Sequence, residues 1–135
     1  MKVTLGLVGF AAALVALRLA AAPAPGKADE DPFRGIDDAR LLPMLRHLPY
    51  EHGGLNVPAQ DGRFLHDLIV RKGYMRGLEI GTSNGYSSLW LGLAFRETGG
   101  RLITIEIEPK RAKEARRNIR EAGLADVIDS RIRAR

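Results

Sequence analysis

The chain predicts an α/β domain built on a parallel sheet, and three observations carry that expectation. A short apolar strand, Leu78 to Ile80, runs into the turn Gly81-Thr82-Ser83-Asn84-Gly85, which opens an amphipathic helix. A second strand follows at Arg101 to Ile107, alternating and rich in β-branched residues, with acidic Glu106 near its C-terminal end. Helical and strand-like segments alternate as α-β-α-β-α-β, the order that gives a parallel sheet with right-handed crossovers.

The N-terminus reads as a leader over residues 1–28. Lys2 is a short positive region, Val3 to Leu17 is apolar and uncharged, and Ala20-Ala21-Ala22 offers a small-residue cleavage region. Arg18 and Pro23 disturb the cleavage pattern, which leaves an uncleaved N-terminal membrane anchor as the alternative. The apolar run is shorter than the roughly 20 residues a spanning helix needs, which favours a signal peptide and a secreted or periplasmic location.

Residues 29–54 are expected to be a linker and an N-terminal helix and loop region. Pro23 to Asp38 is a Pro-, Gly- and Asp-rich lead-in, with Asp37-Asp38 capping or solvating a turn. Ala39 to His47 predicts a short helix interrupted at Pro43, and Pro49 to Pro58 a loop. Residues 55–135 are then a partial cofactor-binding domain. Within it, Gln60 to Lys72 predicts a helix whose Phe64, Leu65, Leu68 and Ile69 face the sheet, ended by Gly73. The helix after Gly85 buries Leu89, Trp90, Leu93 and Ala94, with Trp90 a core aromatic, and Gly99-Gly100 ends it. Pro109 suits the first turn of the next helix, where its missing N–H costs nothing. That helix carries the stripe Ala112, Ala115, Ile119 and Ala122 and ends at Gly123; Val127 to Ile132 is the third strand.

Composition excludes several functions. At 135 residues the chain holds at most one domain, and 27% charged with 45% hydrophobic residues is ordinary globular usage. The net charge of +5 invites a nucleic-acid reading. Much of the excess, however, is Lys110, Arg111, Lys113, Arg116, Arg117 and Arg120 on one predicted helix, with Arg131, Arg133 and Arg135 at the tail. A solvated helix face accounts for it, and no specific nucleic-acid binding is expected. The absence of cysteine excludes disulfides, thiolate metal sites and a thiol nucleophile. His47, His52 and His66 are spaced so that no two share a helix face with a carboxylate, so solvent or loop roles are expected.

The glycine turn narrows the ligand. Its spacing is Gly-x-x-x-Gly, without the second glycine that a dinucleotide pyrophosphate requires, and no lysine-bearing phosphate loop is present. A cofactor with an amino-acid moiety and no phosphate fits better. Glu79 is placed to accept from an ammonium, and Ser87 with backbone amides at the helix start to donate to a carboxylate. Glu106 is placed to accept both hydroxyls of a ribose. S-adenosylmethionine has all three groups.

Val57-Pro58-Ala59-Gln60, Leu78-Glu79-Ile80-Gly81-Thr82-Ser83-Asn84-Gly85-Tyr86-Ser87 and Arg101-Leu102-Ile103-Thr104-Ile105-Glu106-Ile107 resemble the class I S-adenosylmethionine-dependent O-methyltransferases, in the catechol and caffeoyl-CoA O-methyltransferase group. The resemblance covers about Leu55 to Ile132. It implies a Rossmann-like class I methyltransferase parallel sheet with flanking helices, in three layers, truncated after the third strand. It implies a cofactor site in which Val57 contacts the methionine end through its backbone and Glu79 holds the ammonium. Gly81, Thr82, Ser83 and Gly85 form the turn beneath the cofactor, and Tyr86 lies beside its methionine portion. Ser87 binds the carboxylate, Glu106 the ribose, and Ile107 packs near the adenine.

The family's Mg²⁺ ligands and catalytic lysine belong to a later half, so no catalytic or metal residue is assigned here. The implied function is methyl transfer to a hydroxyl of a small, catechol-like aromatic acceptor. Two alternatives stand beside it. One is a truncated, non-catalytic cofactor-binding fragment. The other is a small exported binding module that self-associates through its open sheet edge.

Overall fold

Parallel pairing sets the frame of the domain. The computed structural model describes residues 31–50 and 56–133. The predicted leader and His52 lie outside them. The elements run α1 Leu41–His47, α2 Ala59–Lys72, β1 Arg76–Ile80, α3 Tyr86–Thr98, β2 Arg101–Glu106, α4 Pro109–Glu121 and β3 Ile128–Ile132. The sheet order is β1-β2-β3 with both pairings parallel, Leu78 opposite Ile103 and Thr104 opposite Ser130. Among the described residues no helix is long and apolar enough to cross a membrane.

Both crossovers step in the same direction, so α3 and α4 lie on the same face of the sheet. Gly77 on β1 has no room for a side chain because the Phe95 ring of α3 sits against it, and Arg116 of α4 donates to the Ser130 carbonyl. Alternation then puts Glu79, Leu102, Thr104, Glu106 and Ile128 on the covered face. Leu78 and Ile80 point the other way and are 66% and 74% exposed. The three-layer expectation is therefore corrected for the described residues, in which helices cover one face only. The Gly81 amide bonds the Ile105 carbonyl and the Arg101 amide bonds the Met75 carbonyl. In a parallel ladder the odd residues of β1 thus face β2, and the backbone of Arg76, Leu78 and Ile80 faces the edge that is unpaired among the described residues.

Helix α3 is buried nearly all round because it is packed on two sides. Leu89, Trp90, Leu93, Ala94 and Phe95 are all core, with the sheet beneath and α1 and α2 outside. The expected sheet-facing surface of α2 is corrected accordingly: it packs on α3, burying Gly62, His66, Asp67 and Ile69, and leaves Phe64 half exposed. Pro43 does not interrupt α1, since it occupies the first turn, where the amide has no intrahelical acceptor to lose. Gly73 and Gly99 end α2 and α3 in the left-handed region at φ 62° and 75°. The Ala112, Ala115, Ile119 and Ala122 stripe is buried as expected, while Lys110, Arg111, Lys113, Arg117 and Arg120 are solvated.

The lead-in is tied to the helices by side chains. Phe33 stacks on Trp90 at 5.9 Å, the Arg46 guanidinium lies over the Phe33 ring at 5.4 Å, and Arg63 donates to the Arg34 carbonyl at 2.7 Å. Asp38 accepts from the Arg40 and Leu41 amides and pairs with Arg96 at 3.0 Å. The Leu41 amide is the main influence holding its carboxyl below the ordinary range.

Trp90 also explains a glycine inside a helix. A Cβ on Gly62 would stand 2.5 Å from Trp90 Nε1. Replacing a mid-helix glycine by alanine ordinarily gains about 1 kcal/mol. Here Gly62→Ala should instead destabilise by roughly 1–3 kcal/mol, as overpacked cores do. Urea unfolding of the two proteins checks the sign.

Candidate functional site

The two βα turns beside the C-terminal ends of β1 and β2 form a cradle, the position where ligands bind in open α/β sheets. Gly81 has φ 93° and a Cβ there would meet nothing within 4 Å, so the backbone is bare to an approaching ligand. Gly85 has φ 90°, and its α-carbon packs close to α4, where a Cβ would stand 3.4 Å from Ala115 Cα. Ser83, a non-glycine residue at φ 51°, lies between them.

Glu106 holds this turn in place. Its Oε2 accepts from the Ser83 amide at 2.7 Å, and its Oε1 from the amides of Ile107 at 2.9 Å and Glu108 at 3.0 Å. Burial pushes its carboxyl up, but the three amides and the nearby Arg111 charge outweigh that and hold it below the ordinary carboxylate range. The carboxylate has about four acceptor positions, so about one remains for a ligand. Ile107 follows with 68% of its surface exposed, an apolar patch at the rim of the cradle.

Glu79, on the neighbouring strand, is surrounded by hydroxyls. Ser87 Oγ donates to its Oε1 at 2.6 Å, Thr104 Oγ1 to its Oε2 at 2.6 Å, and Ser88 Oγ also to Oε2. Ser87 was expected to offer its hydroxyl to a ligand carboxylate; the structure turns it onto Glu79 instead. The donors that remain for a ligand are backbone amides. Helix α3 begins at Gly85 with no side-chain cap of its own, and Asn84 Oδ1 takes only the Tyr86 amide, at 3.1 Å. The next amides, of Ser87 and Ser88, belong to a helix N-terminus and suit an anionic group.

Sequence reasoning passed over Asn84, Asn118, Ser88 and Thr104. Asn84 is buried and donates to the Leu48 carbonyl at 3.2 Å, while its own carbonyl accepts from Asn118 at 2.8 Å. These bonds fasten the turn to α4 and to the segment after α1. Thr104 stands two residues before Glu106, and that spacing alone puts both on one face of β2. Val57 packs at the edge of the core, Thr82 is buried against Thr104, and Tyr86 is fully buried, which pushes its phenol up.

His66 is corrected from a solvent role to a buried one. It lies on α2 between Asp67, 2.9 Å from Nδ1, and Glu97, 3.0 Å from Nε2. A separate concavity of about 340 Å³ surrounds it, lined by Arg63, Asp67, Arg96 and Glu97 as well. Several of its groups are partnered: Arg63 pairs with Asp67 and Arg96 with Asp38, and His66 is hydrogen-bonded to Asp67 and Glu97. Among the described residues no three His, Asp or Glu side chains gather as a metal site.

Because Glu106 accepts as a carboxylate, its stabilising contribution is fully present above about pH 4.3, the unfolded value. It is lost as pH falls through the lowered folded value. Glu106→Gln should cost about 2 kcal/mol at pH 7, the scale of hydrogen bonds to a charged group. In urea unfolding from pH 7 to pH 3, the gap to the unmodified protein should close below about pH 4. A gap that stays constant would contradict this.

Comparison with known proteins places this cradle in a family. The profile of the O-methyltransferase family matches residues 35–134. The chain is 44% identical over 112 residues to a catechol O-methyltransferase of Mycobacterium tuberculosis, covering 78% of this chain and 50% of that protein. It is 37% identical over 99 residues to a catechol O-methyltransferase of Niastella koreensis, covering 72% and 44%. The crystal structure of the O-methyltransferase TomG from Streptomyces achromogenes, in complex with SAM, superposes with a TM-score of 0.59 at 37% identity, over 71% of this chain and 43% of TomG. The chain spans about half the length of the curated relatives it matches. The parallel sheet with its flanking helices is the Rossmann-like sheet of the class I methyltransferases, and the chain belongs to the O-methyltransferase family.

Proposed function

We propose that this chain is the cofactor-binding half of an S-adenosylmethionine-dependent O-methyltransferase whose acceptor is a hydroxyl on a small, catechol-like aromatic molecule. The observation that carries the reading is the pair of carboxylates, Glu79 and Glu106, at the C-terminal ends of adjacent parallel strands, with a bare glycine turn and a helix N-terminus between them. The acceptor class is supported by the catechol O-methyltransferase relatives. The cofactor is supported by the SAM complex of TomG.

Each group on the cradle has a counterpart in that cofactor. Glu79 offers the ammonium an acceptor and a negative charge. The Ser87 and Ser88 amides offer the carboxylate donors at the positive end of α3. Glu106 keeps about one acceptor position for a ribose hydroxyl while its other bonds hold the turn rigid. Ile107 gives the adenine an apolar neighbour, and the bare Gly81 lets the ligand reach the main chain. When bound, the cofactor would supply a methyl group to an acceptor oxygen by in-line attack at the methyl carbon, the C–S bond breaking and S-adenosylhomocysteine leaving as the neutral thioether. This half contributes by fixing the cofactor's orientation, which is how positioning lowers such barriers. The Mg²⁺ implied by the family has no ligand set among the described residues.

Isothermal titration with S-adenosylhomocysteine tests the reading. The chain should bind it. Glu106→Ala and Glu79→Ala should each weaken binding by roughly 10- to 100-fold, the scale of losing hydrogen bonds to a charged group. Binding that is absent, or equally strong in both variants, would overturn the proposal.

A further inference from the structure

We infer that Thr104 and Ser88 are positioning residues that aim the Glu79 carboxylate at a cationic group, an inference resting on the cofactor reading above. The Glu79 carboxylate takes no part in the backbone ladder that joins β1 to β2. Its anchorage comes instead from three hydroxyls, those of Ser87, Ser88 and Thr104, the last two fully buried.

The proton directions in this cluster follow from counting. Thr104 has one hydroxyl proton and gives it to Glu79 Oε2. The 2.6 Å contact between Thr82 and Thr104 must then be Thr82 donating to Thr104. A chain of hydroxyls therefore runs from Thr82 through Thr104 to Glu79, each polarising the next toward the carboxylate. Three of about four acceptor positions on Glu79 are filled, which fixes the direction of the one left over.

The cage is made of neutral donors. Glu79 makes no ion pair with a Lys, Arg or His among the described residues. The hydroxyls orient the carboxylate without cancelling its charge, so a cationic group on a ligand meets an oriented and uncompensated partner. A lysine or arginine in place of Ser88 or Thr104 would hold Glu79 as firmly and remove its use. The small, neutral hydroxyls are thus part of what selects for an ammonium.

Two ligands that differ in the amino-acid moiety separate this role from a structural one. S-adenosylhomocysteine carries the ammonium and carboxylate; 5′-methylthioadenosine has the nucleoside and thioether alone. Thr104→Val keeps the shape and removes the donor. It should weaken S-adenosylhomocysteine roughly tenfold, the effect of one hydrogen bond to a charged group, and leave methylthioadenosine within about twofold. Thr104→Ser should restore the loss. Ser88→Ala should show the same selective effect and carries the test if Thr104→Val melts before binding is measured. Equal weakening of both ligands, or no weakening of either, would overturn the positioning role. Failure of the unmodified protein to bind either ligand would overturn the cofactor reading on which it rests.

Discussion

The cradle depends on one carboxylate. Glu106 stands at the end of β2 and accepts the Ser83 amide from the turn after β1 together with the Ile107 and Glu108 amides from its own turn. A single side chain thus ties the two βα turns to each other directly, beside the bonds and packing that fasten the first turn to α4. The Ser83 bond also compensates a backbone in the left-handed region, which a non-glycine residue adopts at a cost. Burial alone would favour the neutral acid. Three amides and the Arg111 charge reverse that, so the group that positions the turn is also a standing negative charge in the cradle.

Around this tie the rest of the domain acts as a support. Parallel pairing brings Glu79 and Glu106 to the same end of the sheet, and both crossover helices lie beneath the same face. Asn84 and Asn118 fasten the turn from below through buried hydrogen bonds, and Gly85 lets α4 approach closely. The glycine at position 81 is open above, so the rigid side of the turn faces the protein and the bare side faces a ligand. Leu78 and Ile80 show that the other face of the sheet is uncovered among the described residues, consistent with a chain spanning about half the length of its relatives.

Much of this was legible in the residues. The strands, the glycine turn and the spacing from Glu79 to Glu106 are local patterns, and periodicity reads local patterns well. What was missed depends on contacts distant in sequence. Nothing near α2 says that its partner is α3 rather than the sheet, so the sequence points Phe64 at a sheet it does not pack on and reads as solvated a histidine, His66, that is mostly buried. From the sequence, Pro43 reads as a break because its place in the first turn depends on where α1 starts. Thr104 read as a β-branched strand former, which it is. Its hydroxyl acquires a second role only when β1 brings Glu79 alongside. The Ser87 hydroxyl has an acceptor eight residues earlier, Glu79, that only the fold brings within reach.

If the proposed function holds, ligand binds in the cradle between Glu79 and Glu106 and not in the charged concavity around His66. A titration of the ¹⁵N-labelled chain with S-adenosylhomocysteine, followed amide by amide, tests it most directly. The amides of Gly81, Ser83, Ser87, Ser88 and Ile107 should shift and saturate together while those of Arg63, His66 and Arg96 stay in place. Shifts confined to the His66 side, or none at saturating ligand, would contradict it.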